Sequence, residues 1–344
     1  MDGSRIDLDV FSEVLGYDLS RRTLLRGLAG GGLAAAIPIG GLRLAPHAAA
    51  QEATPPGEPA AAHRFQVGQR DLWVFDDGAY TAPGFFLAVN APPRALAEAM
   101  AEVGQSPEAY TTTMNILLID TGEQLVLIDT GFGGVGPFAA TTGHLLPALQ
   151  AEGIAPEEID VVLLTHLHGD HVGGVADAAG KPTFPNARYL INQAEYEFWW
   201  AEPSLVELPI PDDFKQLFRD GAKGTLTALQ GTIEQIAPGD EIAPGVTVLA
   251  APGHTPGHLA VEVVSDGERL LHVVDAAGDP VLHLQHPDWF FAPDNWPAQE
   301  ILTRRQLFDR AAQEDLLVLA YHFAFPGLGH VQQDGDGWTW EPVT

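Results

Sequence analysis

Asp160-Val161-Val162-Leu163-Leu164-Thr165-His166-Leu167-His168-Gly169-Asp170-His171 is the stretch on which the fold turns. Asp160–Leu164 carries a continuous apolar run, the pattern of a strand covered on both faces. Directly after it, four metal-competent side chains fall within six residues: His166, His168, Asp170 and His171. They cannot all be ordinary core residues, because burying that many polar groups unpaired costs on the order of several kcal/mol apiece. Alternation sends His166 and His168 to one side of an extended segment, while Asp170 and His171 lie where the chain turns into the next element. One loop can thereby feed two neighbouring ions. Gly173-Gly174 permits close backbone approach around them.

Outward from that stretch, apolar runs of strand length alternate with helical patterns. Upstream, a strand is expected at Leu72–Phe75, ended by the turn residues Asp76-Asp77-Gly78, then a helix at Pro92–Val103. Asn115–Ile119 and Gln124–Ile128 flank Thr121-Gly122-Glu123 as a hairpin, and Thr142–Glu152 reads as a helix. Downstream, helices are expected at Gln193–Trp200, Asp212–Ala222 and Pro297–Gln313. Strands are expected at Thr247–Ala251, Leu259–Val264, Arg269–Val274, Leu316–Ala320 and Gly337–Glu341. Two successive batches of strands and helices predict an α/β fold of two βα halves packed sheet to sheet, with helices outside.

The chain has 344 residues, 46% hydrophobic and 18% charged, a globular composition able to bury a large core. Its net charge is −29. The first fifty residues balance five Arg against five acids, so the whole excess lies beyond them. Such a surface repels phosphate backbones and argues against a nucleic-acid partner. Cysteine is absent, so any metal site must be built from imidazole and carboxylate. Near the N-terminus, Ser20-Arg21-Arg22-Thr23-Leu24-Leu25 has a twin-arginine arrangement. The uncharged stretch Gly27–Leu42 and the small-residue triplet Ala48-Ala49-Ala50 follow. Residues 1–50 are therefore expected to be a Tat-type export signal, delivering the protein to the periplasm or outside the cell. The uncharged stretch is too short to span a membrane. Residues 51–62 read as a Pro/Ala-rich linker, leaving 63–344 as the folded domain.

The H-x-H-x-D-H string after a hydrophobic strand resembles the signature of the metallo-β-lactamase superfamily. Four further pieces fall in that family's order: Ile128-Asp129-Thr130-Gly131, Pro252-Gly253-His254-Thr255-Pro256-Gly257-His258, Val273-Val274-Asp275 and Ala320-Tyr321-His322. The resemblance implies a four-layer αββα sandwich and two divalent ions. His166, His168 and His254 would hold one ion, Asp170, His171 and His322 the other, with Asp275 between them. It also implies that a hydroxide shared by the ions is the nucleophile, with Asp170 guiding its proton. The donor set suits zinc, and Mn, Fe and Co accept the same ligands. Asp129 and His258 are expected to brace the ligands rather than to be ligands. His330 is expected to brace the final loop.

Within the superfamily the chain is most similar to the methyl parathion hydrolase group. The likeness runs through Phe184-Pro185-Asn186-Ala187, Glu195-Tyr196-Glu197-Phe198-Trp199 and His322-Phe323-Ala324-Phe325-Pro326-Gly327-Leu328-Gly329-His330. That implies hydrolysis of a small apolar ester, lactone or phosphotriester in an aromatic-lined pocket, for which Trp199, Phe85, Phe86, Phe214 and Phe290 are the candidates. It also implies a homodimer. Gly169 stands where that group has Pro, and Gly84-Phe85-Phe86-Leu87 departs from it. The alternative is an acyl-homoserine lactonase; that group places a tyrosine three residues after the shared aspartate, where this chain has Gly278. An iron-dependent oxygenase on the same scaffold and a non-catalytic metal-binding module are the readings from other classes. Seven intact ligand positions favour hydrolysis.

Overall fold

In a computed structural model, residues 62–134 and 136–343 are described. The expected export signal and nearly all of the linker lie outside them; Ala62 already belongs to the first strand.

The first half runs β1 (Ala62–Val67), β2 (Arg70–Ala82), α1 (Pro93–Glu102), β3 (Tyr110–Asp120), β4 (Leu125–Ile128), α2 (Leu145–Ala151) and β5 (Val161–Leu164). It continues through the single turn α3 (Gly169–Val172), β6 (Arg188–Asn192), α4 (Gln193–Trp200), α5 (Asp212–Ala228) and β7 (Ile233–Ile236). The second half is β8 (Glu241–Ala243), β9 (Val246–Ala250), β10 (Leu259–Ser265), β11 (Glu268–Val274), a π-helix at Pro280–Gln285, α6 (Pro297–Glu314), β12 (Leu317–Ala320), β13 (Leu328–Asp334) and β14 (Gly337–Pro342). Two seven-stranded sheets result, ordered β1 to β7 and β14 to β8. β4 to β7 pair in parallel, as do β11 and β12; the remaining pairs are antiparallel.

The four layers follow from residue alternation. On β5, Val161 and Leu163 enter the apolar layer between the sheets, together with Val126, Ile128, Val248, Val261 and Leu319. Val162 and Leu164 face the other way, into a layer with Leu145, Leu149 and Leu226 of the helices. On the second sheet, Ala260, Leu271, Val273 and Val318 turn outward onto Leu307, Phe308 and Ala311 of α6. The strand that read as buried on both faces is so because it serves two cores at once.

Several elements differ from the sequence reading. Asp76-Asp77-Gly78 does not end β2: it is a β-bulge, with Asp76 opposite Asn115 and Ala79 opposite Thr113. The carboxylate of Asp77 satisfies three loop amides, those of Phe132, Gly143 and Leu145, so turn-like residues serve a loop anchor. α2 is shorter than expected and α5 longer. β6, β7, β8, β13 and the π-helix had no clear period in the sequence. The cap on α4 is conventional: the Asn192 side chain accepts from the Ala194 amide at 3.2 Å. Among the described residues no helix is long and apolar enough to cross a membrane.

His272 on β11 is buried, with Nδ1 3.1 Å from the Leu319 carbonyl and no hydrogen-bond partner at Nε2. Burial pushes its pKa down to about 4. The unfolded chain therefore binds a proton near pH 6.5 that the folded chain refuses until about pH 4. Its contribution to stability is complete above pH 6.5 and falls as pH drops through that window, by about 1.4 kcal/mol per unit. His272→Leu is expected to flatten the dependence of Tm on pH over that interval, measured against the parent by thermal melts.

Candidate metal centre

Strand ends deliver the site residues to one edge of the sandwich. Asp129 follows β4, His166 and His168 follow β5, His254 follows β9, Asp275 follows β11 and His322 follows β12. Two of these ends are strained: Asp129 has φ +65° and the β-branched Val274, just before Asp275, has φ +51°. Such backbone costs roughly 1–3 kcal/mol and persists only where its surroundings impose it. At Val274 it marks the point where the strand ends and Asp275 begins the loop. Asn115 of β3 donates to the Ala320 and Phe323 carbonyls, stitching the first sheet to the loop that carries His322.

The seven residues singled out as ligands converge. Three sets of donor atoms lie within 4.8 Å of one another: His166, His168 and His254; His166, His171 and Asp275; and Asp170, His171 and His322. Asp275 reaches both ends, with Oδ2 3.2 Å from His254 Nε2 and 3.5 Å from His322 Nε2, and Oδ1 3.2 Å from His171 Nε2. His168 meets the cluster through Nδ1, 2.9 Å from His254 Nε2, while Nε2 of His166 and His171 and Oδ1 of Asp275 are buried there without a hydrogen-bond partner. Buried donors left unpaired and pointing at one another are what a cation satisfies. The charges agree. Burial drives His166 and His168 well down, keeping them neutral as ligands must be. At His254 burial is outweighed by Asp275 and Asp294, which push its pKa up to about 10. The carboxylates thus hold a negative field that draws positive charge in.

Four of the five ligand imidazoles are aimed by a partner on the other nitrogen, His168 being the exception. His171 Nδ1 lies 2.8 Å from Asp129, which also accepts the Thr165 amide and hydroxyl. His254 Nδ1 lies 2.7 Å from Asp294, His322 Nδ1 2.9 Å from the Thr113 carbonyl, and His166 Nδ1 3.2 Å from Thr165 Oγ1. His258 donates from Nδ1 to the Ala251 carbonyl and accepts the Asp275 amide at Nε2, 3.3 Å away. Burial keeps it neutral, with a pKa down to about 3. His330 sits on β13, 3.3 Å from Asp315 and away from the site.

Sequence reasoning missed the residues that tie these loops together. Glu195 of α4 is fully buried and accepts from the Leu167 amide, the Trp199 indole, the Thr255 hydroxyl and the Gly257 amide. One carboxylate thereby joins the His166–His171 loop to the His254 loop. A Cβ at Gly257 would stand 2.2 Å from the Glu195 amide, so the motif's second glycine is what lets α4 approach. On α6, Glu300 accepts the His254 amide, Thr303 donates to the Pro252 carbonyl, and Arg304 donates to the Ala276 and Pro287 carbonyls. These three share a helix face at i, i+3 and i+4, and a buried acid and base on that face were the available signal.

The aromatic candidates divide. Phe86, Phe214 and Phe290 are half-buried, and the Phe86 ring lies 5.0 Å from Phe85 and 5.6 Å from Phe214. Phe218, one turn on from Phe214, stacks on His168 at 4.9 Å. Trp199 differs from its expected place on a pocket wall: it is 2% exposed, its indole committed to Glu195 and its ring edge-on to His168 at 6.0 Å. Phe85 is likewise 4% exposed. Across the site, Tyr80 donates to Asp170 Oδ2 at 3.2 Å. A Cβ at Gly278 would lie 2.6 Å from the Phe291 ring, which fills the space where a larger side chain would stand.

A two-sheet sandwich with a histidine- and aspartate-rich edge able to hold two ions defines a metal-dependent hydrolase. The profile of the Metallo-beta-lactamase superfamily matches residues 112–317, and the chain belongs to that superfamily. A Mycobacterium bovis protein named "Probable metallo-hydrolase" is 32% identical over 249 residues, 60% of this chain and 74% of its own length. An N-acyl homoserine lactonase of a Bacillus species is 31% identical over 182 residues, 46% of this chain and 62% of its own length. The structure of AidC, a dizinc quorum-quenching lactonase in complex with a product, superposes with a TM-score of 0.77 at 28% identity, covering 83% of this chain and 98% of AidC.

Removing the buried Glu195 charge should loosen both loops. Glu195→Gln turns an amide NH2 toward two of the four donors and is expected to cost about 1–3 kcal/mol of stability. Urea denaturation and metal per chain by elemental analysis would read both effects; unchanged stability and metal content would contradict the clamp.

Proposed function

We propose that the protein is an exported hydrolase of small apolar esters and lactones that carries two divalent cations. His166, His168 and His254 hold one, Asp170, His171 and His322 the other, and Asp275 reaches both. The observation that carries this reading is the placement of Asp275, whose two oxygens face histidines of both triads. When bound, the ions supply a water activated near neutral pH and a Lewis acid for the substrate carbonyl. The chain's own residues do the rest. Asp170 is the more open carboxylate, its side chain 14% exposed against 5% for Asp275, and with Oδ2 turned to the second triad it is the carboxylate that guides the proton released in hydrolysis. Phe218, Phe214 and Phe86 form an apolar wall on the His168 side, suited to an acyl or aryl group.

Supporting a lactone among the substrates are the Bacillus lactonase and AidC, both lactone hydrolases by name. The missing hydroxyl at Gly278 separates this chain from the tyrosine-bearing lactonases and broadens the expected range to open esters. Phosphotriesters, implied by the likeness to the methyl parathion hydrolase group, belong on the same panel. Export rests on Arg21-Arg22 and the stretch after them.

Metal-replete protein is to be assayed on an aryl ester, an aliphatic lactone, an acyl-homoserine lactone, a phosphotriester and a β-lactam. Turnover of aryl ester or lactone is expected to equal or exceed that of the phosphotriester; dominant β-lactam turnover would sink the substrate reading. His168→Ala should lose metal and most activity together. Full activity with unchanged metal content would refute the ligand set.

A further inference from the structure

Every histidine in the cluster has an orienting partner except His168, which faces His254, but the carboxylate of Asp170 stands differently. It is the most exposed of the ligand side chains, and it lies on a one-turn helix whose own hydrogen bonds do not fix a side chain. What reaches it comes from the far side of the first sheet. Past the Asp76–Ala79 bulge, β2 continues to Tyr80, whose hydroxyl lies 3.2 Å from Asp170 Oδ2. That oxygen is also the one 3.4 Å from His322 Nε2 and 3.9 Å from His171 Nε2. The phenol thus donates to the very atom that faces the second triad. The Tyr80 ring is itself held: Phe132 meets it edge-on at 5.3 Å, Phe138 at 5.0 Å, and it stands edge-on to His322 at 6.4 Å. Below, the Tyr321 hydroxyl donates to the Asp170 carbonyl at 2.6 Å, so backbone and side chain of Asp170 are fixed by two separate phenols.

We infer that Tyr80 is the positioning residue for Asp170: its hydroxyl fixes the orientation of the carboxylate and sets how strongly that carboxylate binds the second cation. The inference rests on the two-cation reading above. A hydrogen bond to a ligating oxygen does two things. It confines the carboxylate to one rotamer, so that less freedom is lost when the ion binds, and this gain outweighs the slight loss of donor strength at the oxygen, which itself leaves the ion a stronger Lewis acid. Loss of the hydroxyl should therefore weaken retention of one ion and slow turnover, while leaving the acyl-binding aromatics, and so KM, almost untouched.

Tyr80→Phe removes the oxygen and keeps the ring against Phe132 and Phe138. Zinc-loaded parent and variant would be titrated with a chromophoric chelator, which resolves the two ions by their release. The more weakly held ion is expected to leave the variant about ten- to a hundredfold more readily, with the tighter ion unchanged. At saturating zinc, kcat is expected to fall about tenfold or more with KM within about threefold. Equal retention of both ions in parent and variant overturns the inference. So does equal weakening of both, which together with a lowered melting temperature of the metal-free protein would mark a purely structural role. The chelator titration needs no substrate, so a parent inactive on every ester would sink the substrate reading and leave this test intact.

Discussion

Seven polar ligand side chains brought to one sheet edge, most of them fully buried, is the constraint that the rest of this molecule answers. Imidazoles and carboxylates in that density would be ruinous if left alone, because each loses its water and gains nothing. The structure meets the demand in two shells of contact. Inward, the donor atoms face one another at distances that cations can bridge. Outward, Asp129, Asp294, Thr165 and the Thr113 carbonyl take the opposite nitrogen of four rings. The outer contacts come from both halves of the chain, three from strands or strand ends of the first sheet and Asp294 from the segment before α6, so the two halves have to be packed together before the ligands can be aimed.

Two buried acids show how the loops are kept in register. Glu195 gathers four donors from two ligand loops, and Glu300 takes the amide of His254 from the other side of the same loop. Burial raises the pKa of both. Their value lies in geometry more than in net attraction. A charged group buried this way is costly by itself, yet it converges several backbone amides with a directionality that apolar packing lacks.

Much of this was legible in the chain and the reason is local. The two-faced burial of Val161–Leu164 is written in four consecutive apolar residues, and the ligands fall in short strings with fixed order. Asp129 and His258 could be assigned bracing roles because they lie inside those strings. Asp294, Glu195, Glu300, Arg304 and Tyr80 could not, since each acts on segments well outside its own stretch of sequence, as with Asp294 on His254 and Tyr80 on Asp170. The Asp76-Asp77-Gly78 bulge was hidden for a related reason: its composition is that of a turn, and only the partner strand shows that the ladder resumes. Trp199 illustrates the opposite limit. An aromatic near the site in sequence can be either wall or prop, and the indole's bond to Glu195 makes it a prop.

The fit of Phe291 against Gly278 leaves a mark on how such sites can change over generations. A single replacement that grows the side chain at 278 meets an aromatic ring 2.6 Å from its first carbon, so that route is closed until position 291 shrinks. Shrinking 291 first would open a hole beside His254 and Asp294 with nothing yet to fill it. A larger side chain at 278 and a smaller one at 291 are therefore coupled changes, each unfavourable until the other is made.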